Sequence, residues 1–119
     1  MKELIKYSGF QVPPAELEGV LLSHPLIDDV CVTGIFSKER MTELPRAYVV
    51  VTQGTEENDA TAKQISSWME KKVASHKRLR GGVRFVKEIP KSPSGKILRR
   101  LLRDQANKEE EEKGVKAKL

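Results

Sequence analysis

Cysteine is almost missing from this chain of 119 residues: Cys31 stands alone. One thiol cannot close an internal disulfide, and with only two histidines, His24 and His76, it cannot build a Cys/His zinc set either. Cys31 lies in the apolar run Val30-Cys31-Val32, so it reads as a small core residue kept reduced. No apolar stretch approaches the ~18 residues of a membrane span, and the N-terminus has no secretory pattern. Aromatic residues make up only 5% and are not interleaved with the basic ones, so stacking platforms for single-stranded nucleic acid are lacking.

Charge, by contrast, is plentiful and unevenly placed. Residues 1–60 carry 5 basic and 10 acidic side chains, a net of −5, whereas residues 61–103 carry 13 basic and 2 acidic, a net of +11. Nucleic acid is the generic partner for such a basic stretch, and a solvated face is the plain alternative. Residues 106–119 are charged and poor in apolar side chains, which reads as a disordered tail after a single domain at 1–105.

Periodicity gives a coarse map. Residues 4–12 alternate and break at Gly9 and Pro13-Pro14, as a short strand or hairpin would. Pro14-Ala15-Glu16 starts a helix with Leu17, Val20 and Leu21 on one face, stopped by Ser23-His24-Pro25. Strands are expected at Ile27–Ile35, Arg46–Thr52 and Val83–Val86, with a polar loop over Phe36–Pro45. A second helix is expected over about residues 60–75, with Ile65, Trp68, Met69 and Val73 as its core stripe, and a third over about residues 96–105. The sum is an α+β fold: a small mixed sheet with about three packed helices, preceded by a short β-hairpin.

Two segments carry chemistry. In Ile89-Pro90-Lys91-Ser92-Pro93-Ser94-Gly95-Lys96, two prolines, two serines and a glycine set up a turn, and Lys96 follows it at a loop-to-helix junction. An ammonium held out there is suited to phosphate or to a developing oxyanion, although the segment alone reads more readily as a solvated loop lysine. The other segment is Lys2-Glu3-Leu4-Ile5-Lys6-Tyr7-Ser8-Gly9-Phe10-Gln11-Val12-Pro13-Pro14-Ala15-Glu16-Leu17-Glu18. With Ser23-His24-Pro25, Glu43-Leu44-Pro45 and Lys77-Arg78-Leu79-Arg80-Gly81-Gly82-Val83 lying in order between them, the chain resembles the C-terminal domain of the adenylate-forming superfamily over nearly all of residues 2–103. The likeness is to 4-coumarate–CoA ligases, firefly luciferase and other acyl- and aryl-CoA synthetases.

The resemblance implies an enzyme with two half-reactions. ATP, with Mg2+, and a carboxylic acid give an acyl-adenylate and pyrophosphate; the thiol of CoA then displaces AMP. A large N-terminal domain holds nucleotide and acid, and the C-terminal lid rotates between steps. By motif, Lys96 matches the adenylation lysine, bridging the attacking carboxylate and the α-phosphate. Lys6 and Gln11 match residues that contact the adenylate in the thioester step, Lys2 another nucleotide-contacting lysine, and Ser8 and Gly9 the lining of the CoA tunnel. The basic stretch then suits ATP and the phosphoadenosine end of CoA better than nucleic acid. No metal ligands are expected in this domain.

Some residues depart from the pattern. The family's Asp-Arg hinge pair would fall just upstream of Met1, so the chain reads as cut at the hinge, lacking its N-terminal adenylation domain and inactive alone. Ser8 stands where coumarate ligases and luciferase commonly have lysine. Rival readings are an adenylating enzyme that does not use CoA, of the luciferase kind or loading a carrier protein, and a basic nucleic-acid-binding module. The ending Ala117-Lys118-Leu119 is close to a peroxisomal address read by an import receptor, with the cytoplasm as the alternative location.

Overall fold

In the computed structural model, residues 3–118 are described, with side chains through residue 109. The chain opens with a hairpin of β1 (Ile5–Tyr7) and β2 (Phe10–Val12), followed by α1 (Pro14–Leu21). A long antiparallel ribbon follows, β3 (Ile27–Ser37) and β4 (Thr42–Val51), then α2 (Asp59–Glu70), a 3-10 turn (Ser75–Lys77), β5 (Val83–Phe85) and α3 (Arg99–Lys118). The sheet order is β3-β4-β5, with β5 parallel to β4. This is the expected α+β architecture.

Both faces of the sheet are covered, which explains why Val30-Cys31-Val32 is apolar without a break. Val30, Val32, Ala47 and Val49 point to one side, against Leu17 and Leu21 of α1 and Ile65 and Met69 of α2. Cys31 and Tyr48 point to the other, where Ile89 and Leu102 of α3 close a smaller cluster. Trp68 is a partly buried flank of the larger core, its ring meeting His24 edge-on at 4.8 Å. No helix among the described residues is long and apolar enough to cross a membrane.

Several boundaries differ from expectation. Phe36–Pro45 is not a loop: β3 and β4 run through it to a tight turn at residues 38–41, where Met41 takes a φ of 53°. Its polar composition reflects a ribbon that projects past the core. Pro45 is tolerated because its carbonyl accepts from Gly81 N–H at 2.7 Å, so its missing N–H faces away from β3. Helix α2 ends at Glu70 rather than residue 75. Helix α3 starts at Arg99, three residues late, and continues to Lys118, so the backbone of the segment expected to be disordered is helical. Its first turns are packed, and Glu and Lys are strong enough helix formers to extend it without an apolar face.

Candidate functional site

The hairpin turn is set by two adjacent residues with positive φ, Ser8 at 44° and Gly9 at 88°, the signature of a two-residue type I′ turn. It fixes the register Tyr7↔Phe10, Lys6↔Gln11, Ile5↔Val12. Ile5, Tyr7 and Val12 are buried, so Lys6 and Gln11 share the exposed face. The outer edge of β1 is clipped to the end of the ribbon. Lys6 N–H donates to Glu43 Oε1 at 2.7 Å, Ser8 N–H donates to Thr42 Oγ1 at 2.9 Å, and that hydroxyl donates to Lys6 C=O at 2.9 Å.

An open groove of about 700 Å3 lies here, with Lys6, Ser8 and Gly9 on one side and Phe36, Arg40 and Met41 on the other. Three of the expected residues are thus brought together, and Gln11 stands beside Lys6. Tyr7 braces the hairpin from beneath: the Arg40 and Arg80 guanidinium carbons lie 5.8 and 4.9 Å from its ring centroid. Phe10 stacks on His76 at 4.1 Å.

Lys96 belongs to a separate station. It does not open α3; it lies on the return arm of a miniature hairpin. Gly95 N–H donates to Ser92 C=O and Ser92 N–H to Lys96 C=O, both at 2.8 Å, and Lys91 and Ile97 form an antiparallel bridge. Proline at the second turn position and Gly95 at φ 86° are what a type I turn closed by a one-residue bulge requires. Lys96 N–H is taken by Ser92 Oγ at 3.1 Å. The side chain is exposed, and among the described residues its ammonium has neither an ion pair nor a hydrogen bond.

Both arms of this hairpin are anchored. On the incoming arm Lys91 Nζ meets Asp29 Oδ2 of β3 at 2.7 Å. On the outgoing arm Arg99 binds the Glu18 carboxylate through both Nε and Nη2. That contact raises the Arg99 pKa: the Glu18 hydrogen bond favours the charged form more than burial opposes it. The Asp29 anchor lies seven residues along β3 from Phe36, which pairs with Glu43 at the other station. At strand rise the two anchors are roughly 23 Å apart.

Sequence reasoning did not find Glu18, Asp29, Thr42, Glu43 or Arg99. One signal for Glu18 was there to be read: it falls with Pro14, Leu17 and Leu21 on the buried face of α1, and an acid on such a stripe demands a partner. Lys2 and the Ala117-Lys118-Leu119 side chains lie outside the described residues. The charge imbalance also resolves. Lys77–Glu16, Lys87–Glu57, Lys91–Asp29, Arg99–Glu18 and Arg103–Glu3 each join a cation of the basic segment to an acid of the acidic half. Five of the thirteen cations in that segment are therefore held by acids of the other half, and Lys96 is among those that are not.

The profile of the AMP-binding enzyme C-terminal domain matches residues 16–96. The chain belongs to that family. A protein of Emericella nidulans named as an acyl-coenzyme A synthetase is 55% identical over 88% of this chain and 19% of its own length. Luciferin 4-monooxygenase of Luciola mingrelica is 50% identical over 87% of this chain and 18% of its own. Among solved structures, an acyl-CoA synthetase of Brucella canis superposes with a TM-score of 0.84 at 33% identity, over 91% of this chain and 20% of that one. This C-terminal domain therefore spans about a fifth of the length of the relatives it matches.

Proposed function

We propose that this chain is the C-terminal domain of an ATP-dependent acyl- or aryl-CoA ligase, in which Lys96 serves adenylate formation and Lys6 and Gln11 serve thioester formation. The observation that carries the reading is the Lys96 ammonium: exposed, without an ion pair among the described residues, and mounted on a hairpin anchored through both arms. In the first half-reaction a carboxylate oxygen attacks the α-phosphorus of ATP and pyrophosphate leaves. A preorganised cation between those oxygens stabilises the charge as it builds. In the second, the CoA sulfur attacks the acyl carbonyl and AMP departs. Lys6 and Gln11, side by side on the hairpin, would hold the adenylate, while the groove beside Ser8 and Gly9 would admit the pantetheine arm.

Anchors roughly 23 Å apart on one rigid ribbon suit a lid that presents a different end to the same site in each step. The nucleotide and acid pocket is assigned to an N-terminal adenylation domain, so the 119 residues alone are expected to be inactive. Among the described residues no group of three His, Cys, Asp or Glu side chains could hold a metal. The family resemblance implies that Mg2+ enters with ATP, as part of the substrate. The Ala117-Lys118-Leu119 ending supports a peroxisomal location; a fluorescent fusion that stays cytosolic with those residues intact would refute it.

The test is Lys96→Ala in the complete ligase. Pyrophosphate exchange should fall about 10²–10³-fold, while a presynthesised adenylate still reacts with CoA. An equal loss of both steps would overturn the division of labour. The likeness to a luciferin monooxygenase supports one further reading, an adenylate passed to an acceptor other than CoA. CoA-dependent release of AMP by the full-length protein decides between them.

A further inference from the structure

We propose that Glu18 and Arg99 are positioning residues for Lys96, an ion pair on a buried carboxylate that fixes the angle of its hairpin and matters to adenylate formation alone. This rests on the reading of Lys96 given above. Glu18 is buried, and its Oε2 accepts two hydrogen bonds, from Val32 N–H in the middle of β3 at 2.8 Å and from Arg99 Nε at 3.0 Å. Arg99 Nη2 reaches the second oxygen, completing a bidentate pair. One carboxylate therefore ties together α1, the central sheet and the first residue of α3.

Only Ile97 and Leu98 separate Arg99 from Lys96, and neither gives slack. Ile97 is bridged to Lys91, and Leu98 N–H donates to Pro90 C=O at 2.9 Å. Three residue steps span at most about 10 Å, so a shift of the Arg99 anchor is passed directly to Lys96. The Lys91–Asp29 contact on the other arm is partly exposed and holds more weakly. Stability does not account for the buried pair, because an apolar replacement of such a pair is commonly neutral or stabilising. Orientation does: an adenylation lysine must meet reacting oxygens within a few tenths of an ångström, and a 1 Å error costs about 10²-fold.

The decisive variant is Glu18→Gln with Arg99→Met in the complete ligase. The amide still accepts from Val32 N–H, and no unpaired charge is left in the interior. Pyrophosphate exchange should fall about 10- to 100-fold, with the melting temperature and the reaction of presynthesised adenylate with CoA unchanged. In the 119-residue chain, the Lys96 amide should exchange with solvent faster while the β3–β4 amides keep their protection. Unchanged pyrophosphate exchange, or a parallel loss of both half-reactions, would overturn the proposal. Lys96→Ala run alongside separates the failures. If it spares adenylate formation, the reading of Lys96 falls and takes this one with it. If it abolishes adenylate formation while the pair variant does not, only the positioning role falls.

Discussion

Lys6 and Gln11 face one another across the first hairpin as a non-hydrogen-bonded pair. The Lys6 N–H and C=O both turn away from β2, toward Glu43 and Thr42, which brings the two side chains to the closer of the two cross-strand spacings. One ligand group can therefore be held by a cation and an amide together. Gln11→Ala in the complete ligase should slow the reaction of adenylate with CoA about 10- to 100-fold, the loss expected for a hydrogen bond to a charged ligand. Pyrophosphate exchange should be untouched. Slower exchange with an intact thioester step would reverse the assignment of the two stations.

Two glycines are needed for opposite reasons, and their variants should separate. At Gly9 an added Cβ meets nothing within 4 Å, but φ is 88°. At Gly81 a Cβ would stand 2.8 Å from Pro45 O and 3.0 Å from Leu44 O, both immovable backbone atoms. Gly9→Val should cost about 1–3 kcal/mol through strain, and Gly9→Asn much less, because asparagine tolerates the left-handed region. Gly81→Ala should cost about 1–3 kcal/mol through overpacking, with no relief from asparagine. Thermal denaturation of the four proteins checks the pattern.

What could be read from the sequence follows from what local pattern encodes. The apolar stripes of α1 and α2 were legible because Leu17, Leu21, Ile65 and Met69 carry the helical period, whereas β3 and β4 showed only as apolar runs, since both their faces are covered. The hairpin was legible from Gly9. The outer half of the ribbon was not, since beyond Ile35 it leaves the core and loses its apolar signal. Pro45 compounded this by resembling a breaker, although the bond it lacks points away from β3. The turn before Lys96 was legible, but Lys96 itself was placed at a helix start because the return arm of so short a hairpin, paired only through Lys91 and Ile97, leaves no strand pattern. Glu18–Arg99 spans 81 positions and only the fold brings it together.

His24 gives the chain an acid-sensitive contact. Its Nδ1 accepts from Leu26 N–H at 3.0 Å, so the ring is neutral with its proton on Nε2. Burial holds its pKa below the usual value of 6.5. For a base with a lowered pKa, the unfolded chain takes up the proton first. Stability is then complete above 6.5 and is lost as pH falls toward the folded value. Between about pH 7.5 and pH 5.5 the melting temperature should drop, and His24→Gln should flatten that dependence. An identical slope in the variant would show that another group governs the response.

Cys31 answers at the other end of the scale. The thiol is fully buried, and its pKa is pushed up to about 12, first by burial and then by the nearby Glu18 carboxylate. In the unfolded chain the thiol ionises near its ordinary value of 9.0. From there to about 12 the unfolded state binds fewer protons, so stability must fall as pH rises, by at most about 1.4 kcal/mol per pH unit. Cys31→Ala should be less stable at neutral pH, for the methyl leaves a void where the sulfur packed, yet it should lack this alkaline slope. The native thiol should also resist alkylation at pH 8 and react at the rate of global unfolding, because only the thiolate is nucleophilic. Rapid labelling of the folded chain would mean that the cluster of Cys31, Tyr48, Ile89 and Leu102 opens on its own. The seat of α3, and with it the Arg99 anchor, would then be looser than the packing implies.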